Sequence, residues 1–439
     1  MVIQRDQYVS ELLSKRWNGK VKIVTGIRRC GKSFLLFSLY KDYLLKEGVT
    51  KDCFVELALD KKAHVKYRNP NELYDYVLRK TKDVDKRYYV FIDEIQLSYK
   101  VKNEDVDEQL VPEEDREMLY TTFYDILNDL MGRKNLDLYV TGSNSKMLSK
   151  DIVTNFRDRG SEIKVYPLSF KEFYPISGIE KADALEEYLT YGGMPLAVLE
   201  KDETEKRKYL RGLHKRVYIK DIVERYKLKD DEVLEALIDA LSSAVGSLTN
   251  PHNLANVAGS LMKRNTSDNT IKNYLDYLEE AYLFVSAQRY DVKGKRYFDN
   301  TLKYYSMDTG LRNAKLNFRQ QEKSHLMENM IFIELIRRGY NVDVGVVELT
   351  RVRDGKKQQS QHEIDFIVNT GREKIYIQSA LNVDTEEKRN QETLSLKNTG
   401  DFFRKIVILD GNTKAWIDED GIMYVGVIPF LLEEEGTII

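Results

Sequence analysis

Residues 21–34 have the sequence VKIVTGIRRCGKSF, and this stretch decides the fold of the first part of the chain. The run VKIV is short, apolar and rich in β-branched residues, which predicts a buried strand. The next residues, GIRRCGKS, match the pattern G-x-x-x-x-G-K-[ST], and apolar residues then recur along one side of a predicted helix. In this context the glycines let backbone N–H groups turn toward a phosphate, and the helix N-terminus adds its dipole.

The pattern gives the residues of this phosphate loop their expected roles. Lys32 is expected to bridge the β- and γ-phosphates of a nucleotide, and the Ser33 hydroxyl is expected to bind Mg²⁺. Arg28 and Arg29 either touch phosphate or anchor the loop to neighbouring helices. The predicted nucleotide-binding residues are Gly26, Ile27, Arg28, Arg29, Cys30, Gly31, Lys32, Ser33 and Phe34.

The second half of the predicted nucleotide site is YYVFIDEIQ (88–96). Asp93 and Glu94 follow an apolar strand, at the carboxyl end where ligands bind in open parallel sheets. Asp93 is expected to hold Mg²⁺ through water, together with Ser33, and Glu94 to orient or deprotonate the attacking water.

A third predicted strand ends in polar residues, in LYVTGSNS (138–145). Ser143 or Asn144 is expected to contact the γ-phosphate or the attacking water from this neighbouring strand. An ordinary strand-to-loop turn explains either residue equally well.

Short apolar runs alternate with helical patterns through the first half of the chain, which predicts a parallel sheet covered on both faces. The pattern from Glu180 to about Val245 is helical throughout, and residues 326–428 return to mixed α and β. The predicted fold class is α/β. We expect a P-loop parallel-sheet domain (1–180), a helical and winged-helix region (181–300) and a second α/β domain (301–439).

Composition excludes several classes of protein. In 439 residues, 69 Lys and Arg nearly cancel 71 Asp and Glu, which excludes a globally basic nucleic-acid coat protein but not a local basic patch. Two cysteines and five histidines exclude a disulfide framework and argue against a zinc site. The sequence shows neither a signal peptide nor an apolar run near the roughly 20 residues that cross a bilayer, so we expect a cytoplasmic protein without a membrane partner.

Two segments depart from the neutral average. Residues 104–117 hold eight acidic residues and one basic residue, and are expected to form a solvated surface insertion. Residues 206–229 hold ten Lys or Arg against two acidic residues. Apolar residues recur there at helical spacing, which indicates a basic-faced helix packed on the rest of the protein.

Residues 247–298 have the outline of a winged helix. Two predicted helices end at about Phe284, and SAQRYDVKGKRYF (286–298) predicts a hairpin with a tight turn. In such modules the second helix enters the major groove of DNA and the wing follows phosphates, here through Lys293, Lys295 and Arg296. Acidic residues on the second helix oppose this, and a lid or protein-docking module explains the same outline.

Several of these motifs together resemble a known family. GIRRCGKS, FIDEIQ, TGSNS, FRDRGSEIKVYPLSFKEFY (156–174) and YGGMP (191–195) are similar to the AAA+-type P-loop ATPases of bacteria and archaea. KYYSMDTGL (303–311), ENMIFIELIRRG (328–339) and EIDFIV (363–368) resemble the branch with a C-terminal restriction-endonuclease-like domain of unknown function. The resemblance implies an arginine finger or sensor on the γ-phosphate. Arg157 and Arg159 are the available positions, and either is equally plausible as a surface salt-bridge residue.

The C-terminal segment carries only part of a nuclease site. A restriction-type site needs a helix glutamate, an aspartate, and then Glu-x-Lys on the next strand, to hold Mg²⁺ and activate water. Glu328 and Asp365 fit the first two positions, but KIYIQSA (374–380) has Gln378 and Ala380 in place of the glutamate and lysine. We therefore expect a binding scaffold without nuclease chemistry.

These expectations combine into an Mg²⁺-dependent, ATP-hydrolysing protein that acts as a nucleotide-driven conformational switch. The guanine-reading motif Asn-Lys-x-Asp is absent from the sequence, which favours adenine. One alternative is a nucleotide-gated module that docks DNA or an unknown protein partner with negligible turnover. A second is an ATP-dependent DNA nuclease, against which Gln378 and Ala380 stand.

Overall fold

The computed structural model describes residues 2–142, 159–228, 231–262, 267–319, 322–353, 356–371 and 373–434. The chain forms two compact units, an N-terminal unit spanning Val2–Val165 and a C-terminal unit spanning Tyr166–Ile439. The division into three domains made from the sequence stays a prediction. Among the described residues, no helix is both long enough and apolar enough to span a bilayer.

The N-terminal unit is a sheet flanked by helices. Its strands are β1 (Val21–Thr25), β2 (Phe54–Ala58), β3 (Tyr88–Asp93), β4 (Val101–Lys102), β5 (Tyr120–Thr121), β6 (Leu136–Thr141) and β7 (Gly160–Lys164). Its helices are α1 (Asp6–Ser14), α2 (Lys32–Phe34, continued by the π-helical Leu35–Tyr40 and by Lys41–Lys46), α3 (Pro70–Lys80) and α4 (Phe123–Met131). Short 3₁₀ turns lie at Lys51–Cys53, Lys62–Arg68, Ile95–Leu97, Glu108–Leu110 and Glu113–Leu119.

Five strands of this unit pair in parallel in the order β2-β3-β6-β1-β7. Every residue of β1, β3 and β6 is buried, as expected for central strands that helices cover on both faces. One apolar cluster joins these strands to α3 and α4. The predicted α/β fold with a P-loop parallel sheet is confirmed.

Parallel pairing gives this sheet two chemically different edges. The carboxyl ends of β1, β3 and β6 meet at one edge, which carries the phosphate loop, Asp93, Glu94 and Thr141. The amino ends of the same strands form the opposite edge, which is preceded in the chain by residues 15–20, 82–87 and 131–135.

The C-terminal unit combines helices with one mixed sheet. Its helices are α5 (Phe170–Ser177), α6 (Lys181–Tyr191), α7 (Pro195–Leu199), α8 (Glu203–Leu213, continued by the π-helical His214–Ile219 and by Lys220–Tyr226), α9 (Glu232–Ser243), α10 (Pro251–Met262), α11 (Asp268–Glu280), α12 (Thr309–Lys315), α13 (Lys323–Arg337), α14 (Glu386–Lys397) and α15 (Val427–Leu432). Its strands are β8 (Leu248–Thr249), β9 (Phe284–Asp291), β10 (Arg296–Ser306), β11 (Asn341–Arg353), β12 (Lys356–Asn369), β13 (Lys374–Ala380), β14 (Arg404–Leu409), β15 (Trp416–Ile417) and β16 (Ile422–Gly426).

The strands described in the C-terminal unit form one sheet in the order β15-β16-β14-β13-β12-β11-β9-β10-β8. The helices α10 and α11 and the β9–β10 hairpin occur in the order that the winged-helix outline predicts. The hairpin does not stand alone, because β9 pairs in parallel with β11 through Val344–Val346. A single sheet therefore contains strands from both sides of residue 300, where the sequence predicts a boundary between domains.

The acidic segment 104–117 and the basic segment 206–229 differ in exposure and in ion pairing. Residues 104–117 are largely exposed, as expected for a surface insertion. In the basic segment, Lys206 pairs with Glu187 at 2.5 Å and Arg225 pairs with Asp221 at 2.5 Å. Leu210 of the same helix is fully buried. Carboxylates therefore neutralise part of the segment where α8 packs against its neighbours.

Motifs that are distant in the sequence meet at one point in the C-terminal unit. The Leu168 N–H donates to the Gly193 carbonyl at 2.7 Å, and the Gly193 N–H donates to Asp308 Oδ2 at 2.7 Å. A Cβ atom on Gly193 would lie 2.1 Å from the Leu168 carbonyl oxygen, so only glycine permits this approach. The Arg337 guanidinium donates to the Pro167 carbonyl at 3.2 Å.

Candidate nucleotide-binding site

The phosphate loop follows β1 and leads into α2. Gly26, Arg29 and Gly31 have φ values of 133°, 70° and 99°, which turn the chain back on itself between strand and helix. The position of Gly26 also excludes any side chain, because a Cβ atom there would lie 2.0 Å from the Val165 carbonyl oxygen. The loop ends at the first turn of α2, where backbone N–H groups lack helical partners.

Lys32 lies inside the loop rather than in solvent. Its side chain is buried, and Nζ donates to the carbonyls of Gly26 at 2.9 Å and Ile27 at 3.1 Å. The loop therefore holds a positive charge where its N–H groups and the helix dipole already favour an anion.

The two predicted halves of the site meet at Ser33 and Asp93. Ser33 Oγ donates to Asp93 Oδ1 at 2.8 Å, although the residues are sixty positions apart. Asp93 is buried at the end of β3, and the Thr141 hydroxyl at the end of β6 donates to the same Oδ1 atom. The Thr141 oxygen accepts the Glu94 N–H at 3.0 Å.

Thr141 is a site residue that the sequence interpretation missed. Its hydroxyl joins Asp93 to the backbone of Glu94, and its side chain is fully buried. The sequence feature that could have identified Thr141 is a hydroxyl residue at the last position of a largely apolar strand, two residues before the predicted Ser143.

Glu94 has an unusual backbone and electrostatic environment. Its φ of 53° turns the chain just after β3, and the Gln96 side-chain amide donates to its carboxylate. Burial raises the pKa of Glu94 and Asp93 raises it further, whereas Lys32 and Arg28 oppose the shift, and the net shift is upward. A carboxylate with a raised pKa is better matched to accepting a proton near neutral pH.

The structure does not describe all of the predicted site residues. Ser143, Asn144 and Arg157 lie outside the described residues. Arg159 directly precedes β7, and its carbonyl accepts the Val21 N–H at 3.1 Å. It therefore lies at the amino end of β1, whereas the phosphate loop follows the carboxyl end.

The position of Arg159 bears on its predicted role. Because β1 is five residues long, the two edges of the sheet are about 16 Å apart at about 3.3 Å per residue. This distance argues against contact between Arg159 and a phosphate held by the same chain.

The other loop residues have mixed surroundings. Arg29 and Phe34 are exposed, whereas Ile27 and Cys30 are buried beneath the loop. Cys30 Sγ donates to the Val165 carbonyl at 3.4 Å, and the Arg5 guanidinium donates to the Cys30 carbonyl at 3.1 Å. These contacts anchor the loop to the residue after β7 and to the segment before α1. Cys30 therefore takes part in the anchoring that the sequence analysis assigns only to Arg28 and Arg29.

The residues beside the loop fit a magnesium ion that shares a nucleotide's phosphates. Mg²⁺ takes oxygen ligands and is often held by one or two protein groups together with phosphates. The Ser33 hydroxyl and the Asp93 carboxylate are such ligands, and their contact at 2.8 Å brings them to one point. Over the described ranges, no group of three or more His, Cys, Asp or Glu residues is placed to hold a metal ion by itself.

The nuclease-like positions of the C-terminal unit also meet. The Asp365 N–H lies 3.4 Å from Gln378 Oε1, and the Ser379 N–H donates to Asp365 Oδ2 at 2.8 Å. Ala380 packs in an apolar cluster, so its position offers no charge. Burial raises the pKa of Asp365, and the nearby Glu328 raises it further.

Three further residues of this cluster, Lys303, Glu363 and Tyr305, were not predicted from the sequence. Lys303 on β10 places Nζ 2.9 Å from Glu328 Oε1 and 2.5 Å from Glu363 Oε1. The lysine is 3% exposed, and the Tyr305 hydroxyl donates to the same Glu328 oxygen at 2.8 Å. The cluster of Glu328, Glu363 and Asp365 thus contains its own cation, which we call the Lys303 cluster.

Family models match three successive parts of the chain. Residues 18–174 match an AAA domain. Residues 182–322 match a domain of unknown function (DUF8612), and residues 323–430 match another (DUF4143). The restriction-endonuclease-like assignment of the last part stays a prediction.

Two solved structures show a weak resemblance to this chain. Cdc6p from Pyrobaculum aerophilum is 13% identical with a TM-score of 0.29, over 76% of this chain and 95% of its own. The ORC1 protein of Aeropyrum pernix, solved in complex with DNA, is 10% identical with a TM-score of 0.33, over 72% and 93%. Likenesses of this size do not bear on function.

Two uncharacterised relatives extend over most of the chain. A protein of Methanocaldococcus jannaschii is 29% identical over 390 residues, which are 84% of this chain and 77% of the relative. A protein of Haemophilus influenzae is 32% identical over 437 residues, which are 98% of this chain and 99% of the relative. The chain therefore belongs to the same family as the Haemophilus influenzae protein, and its residues 18–174 match an AAA domain.

Proposed function

We propose that this protein binds and hydrolyses ATP in the presence of Mg²⁺ and that the nucleotide state switches its conformation. The observation that carries the proposal is the hydrogen bond between Ser33 Oγ and Asp93 Oδ1 at 2.8 Å. It joins the phosphate loop to the acidic pair after β3, so the groups that nucleotide hydrolysis needs lie together. A cytoplasmic location is part of this proposal.

Each group of the site has a chemical task in this proposal. The loop N–H groups and Lys32 bind the phosphates, and Ser33 with Asp93 would hold the magnesium ion. When bound, Mg²⁺ neutralises charge on the phosphoryl group. Glu94 orients the attacking water and accepts its proton, a task that its raised pKa suits. Asn144 and Arg157 remain proposed contacts of the γ-phosphate.

A short segment of the chain, residues 165–167, connects the phosphate loop to the C-terminal unit, and a conformational switch could act through it. Val165, the residue after β7, accepts a hydrogen bond from Cys30 of the loop. Two residues later in the chain, the Pro167 carbonyl accepts a hydrogen bond from Arg337 on α13. A change in the loop that moved Val165 would therefore act on a segment fixed to the C-terminal unit.

Two substitutions test this function in the full chain. We expect Lys32→Ala to weaken Mg-ATP binding in calorimetry and to lower turnover, because it removes the buried cation of the loop. Glu94→Gln should slow phosphate release while sparing binding, because it removes the proton acceptor alone. Lys62→Ala, at an exposed position, is the control. Absence of Mg-ATP binding by the unaltered protein, or unchanged turnover in both variants, would refute the proposal.

A nucleotide-gated docking module with negligible turnover is the second candidate. The position of Arg159 favours it, because the arginine lies at the edge of the sheet opposite the phosphate loop. A finger role for Arg159 would then require a second subunit. Phosphate release measured with and without DNA separates the two candidates, since a docking module releases little phosphate in either case.

DNA contact through the β9–β10 hairpin is part of the docking candidate. Lys293 Nζ donates to the Glu348 carbonyl at 3.3 Å, and Arg296 lies 3.6 Å from Asp291. Contacts within the protein therefore already engage two of the three predicted basic residues, which leaves Lys295 as the better placed one. We expect the hairpin to contribute weakly to any DNA binding.

We propose that the C-terminal unit does not cleave nucleic acid. Lys303 neutralises the carboxylates that a nuclease would use for a metal ion, and the lysine position of the motif is the buried Ala380. Supercoiled plasmid should stay intact over hours with Mg²⁺ or Mn²⁺ and ATP. Loss of plasmid that Asp365→Asn abolishes would restore the nuclease candidate.

A further inference from the structure

The amino-end edge of the parallel sheet is strongly basic. Residues 15–20, 82–87 and 131–135, which precede β1, β3 and β6, contain eight basic residues and two acidic ones. Three of the basic residues have carboxylate partners, since Lys15 pairs with Glu11, Arg16 with Glu47 and Lys86 with Asp52. The rest of the edge keeps a net positive charge.

Exposed cations occur directly before the strands of this edge. Arg87 precedes β3, Lys134 lies two residues before β6, Lys20 precedes β1 and Arg159 precedes β7, and all four are exposed. Among the residues that the structure describes, no carboxylate lies within ion-pairing distance of Lys20, Arg87 or Lys134. Adjacent strands are about 4.8 Å apart, so this basic row extends over about 14 Å across β3, β6, β1 and β7.

A cleft of about 230 Å³ opens along the same row. It is lined by Trp17, Gly19, Lys20, Arg87, Met131, Arg133, Lys134, Leu136, Asp137 and Leu138. Asp137, the acidic residue of this lining, is 2% exposed and forms a salt bridge with the buried Lys22. It also accepts the Trp17 N–H at 3.1 Å and the Tyr139 hydroxyl at 2.8 Å. The cleft therefore presents cations outward, and its one carboxylate is compensated within the protein.

We infer that this basic row and its cleft form a binding site for the phosphate backbone of a nucleic acid. A row of about 14 Å is too long for one phosphate and suits several successive phosphates, which recur about every 3.4 Å of helix axis along each strand of a B-form duplex. The site lies at the edge opposite the phosphate loop, so the nucleic acid and ATP bind without competing. It is separate from the basic hairpin of the C-terminal unit, and it does not depend on ATP hydrolysis.

Charge-reversal variants test the site. Their binding to a fluorescein-labelled DNA 30-mer is measured by fluorescence anisotropy. Lys20→Glu with Arg87→Glu should weaken binding roughly tenfold. The slope of log K against log salt should fall in magnitude by about 1.4 on single-stranded DNA or about 1.8 on a duplex, as two contacts are lost. Lys61→Glu with Lys62→Glu, two exposed residues of the same unit, makes the same change in net charge and should bind like the unaltered protein.

The outcomes of this titration separate the site from its rivals. Binding of the fluorescent ATP analogue should stay unchanged in the Lys20→Glu, Arg87→Glu variant, which also shows that it folds. Equal loss with the Lys61→Glu, Lys62→Glu control would mean that net charge alone attracts the DNA, and would overturn the proposal. Loss confined to Lys293→Glu with Lys295→Glu would overturn it in favour of the hairpin.

Tryptophan fluorescence provides a second measurement of binding at the cleft. The chain has two tryptophans, so Trp416→Phe leaves Trp17, which lines the cleft, as the only indole. Titration with an unlabelled oligonucleotide should shift Trp17 emission with the affinity found by anisotropy. Inorganic phosphate or pyrophosphate at equal phosphate concentration should leave the emission unchanged. Equal responses to these small anions, or no response to the oligonucleotide, would refute a nucleic-acid site.

Discussion

Ser33 Oγ donates a hydrogen bond to Asp93 Oδ1 at 2.8 Å, and this contact joins two motifs that are sixty residues apart in the sequence. Because β1 and β3 are not neighbours in the sheet, the contact reaches across the end of β6, which lies between them. The last residue of β6, Thr141, donates to the same Asp93 oxygen. The geometry of the site thus depends on three strand ends, although the motifs name only two.

Thr141→Val should damage both stability and turnover. The substitution keeps the shape of the side chain but removes a buried hydroxyl that bonds Asp93 and the Glu94 N–H. Leaving these groups with one partner fewer should lower the free energy of unfolding by about 1–3 kcal/mol. Turnover should fall roughly tenfold, because Glu94 is no longer held in place.

The control for Thr141→Val is Thr81→Val in the same unit. Thr81 is also buried, and within the part of the chain that the structure describes its hydroxyl bonds the Val77 carbonyl, one turn earlier on α3, and no group of the nucleotide site. This variant should keep the turnover of the unaltered protein in a phosphate-release assay. Equal loss of turnover in both variants would show that Thr141 has no special role in the site.

Gly26→Ala should abolish nucleotide binding. The residue has φ of 133°, and an added Cβ atom would lie 2.0 Å from the Val165 carbonyl oxygen, so the loop and β7 would have to separate. Gly48→Ala is the matched control, because its φ is also positive, at 94°, but nothing lies within 4 Å of the added atom. It should cost about 1 kcal/mol of stability, as expected for a strained backbone alone, and should leave ATP affinity unchanged.

Urea unfolding and binding of a fluorescent ATP analogue measure the two effects of Gly26→Ala separately. Retention of ATP affinity by this variant would mean that the close contact between Gly26 and Val165 is not needed for the loop to hold phosphate.

The sequence predicted the parts of the site whose spacing is fixed locally. A phosphate loop between a strand and a helix, and two carboxylates at the end of an apolar strand, each depend on neighbouring residues. Long-range register was less accessible. That Arg159 lies beside Val21 follows from the parallel pairing of β7 with β1, which no local pattern encodes.

The same limit applies to the C-terminal unit. Lys303 was visible only within KYYSMDTGL, a segment that resembles the C-terminal domain, and its contact with Glu328 requires β10 to pack against α13. Likewise, the pairing of β9 with β11 joins the hairpin to a sheet that begins about fifty residues later in the chain. Tertiary pairing therefore decided both features, whereas the sequence predicted only the hairpin itself and a mixed α and β pattern over residues 326–428.

Lys303→Met should destabilise the protein strongly. Lys303 is 3% exposed and lies 2.9 Å from Glu328 Oε1, so its removal leaves the half-buried Glu328 and the buried Asp365 without a compensating cation. We expect a loss of about 3–5 kcal/mol in urea unfolding. Lys208→Met is the control, because it breaks an exposed pair with Glu205 and should cost at most about 1 kcal/mol.

A second substitution separates charge from packing in the Lys303 cluster. Adding Glu328→Gln to Lys303→Met makes one of the two carboxylates that pair with Lys303 neutral and should recover part of the lost stability. If the double variant were no more stable than the single one, the loss would come from the packing of the lysine side chain and not from its charge.

Asp308→Asn should remove a pH dependence of stability between about pH 4 and pH 6. Burial raises the pKa of Asp308 from 3.8 to about 6, although the N–H groups of Gly193, Leu311 and Gly310 oppose the shift. The unfolded chain loses this proton at lower pH than the folded protein does, so stability falls as the pH rises through the window. The fall should reach roughly 3 kcal/mol above pH 6.

Asparagine has no proton to lose and keeps the acceptor for the Leu311 N–H, so the substitution should change stability by the same amount at every pH. Asp202→Asn is the matched control, because Asp202 also caps a helix but is exposed. Urea unfolding of the three proteins from pH 4 to pH 7 measures the difference. A curve for Asp308→Asn parallel to that of the unaltered protein would show that Asp308 is not the group that titrates.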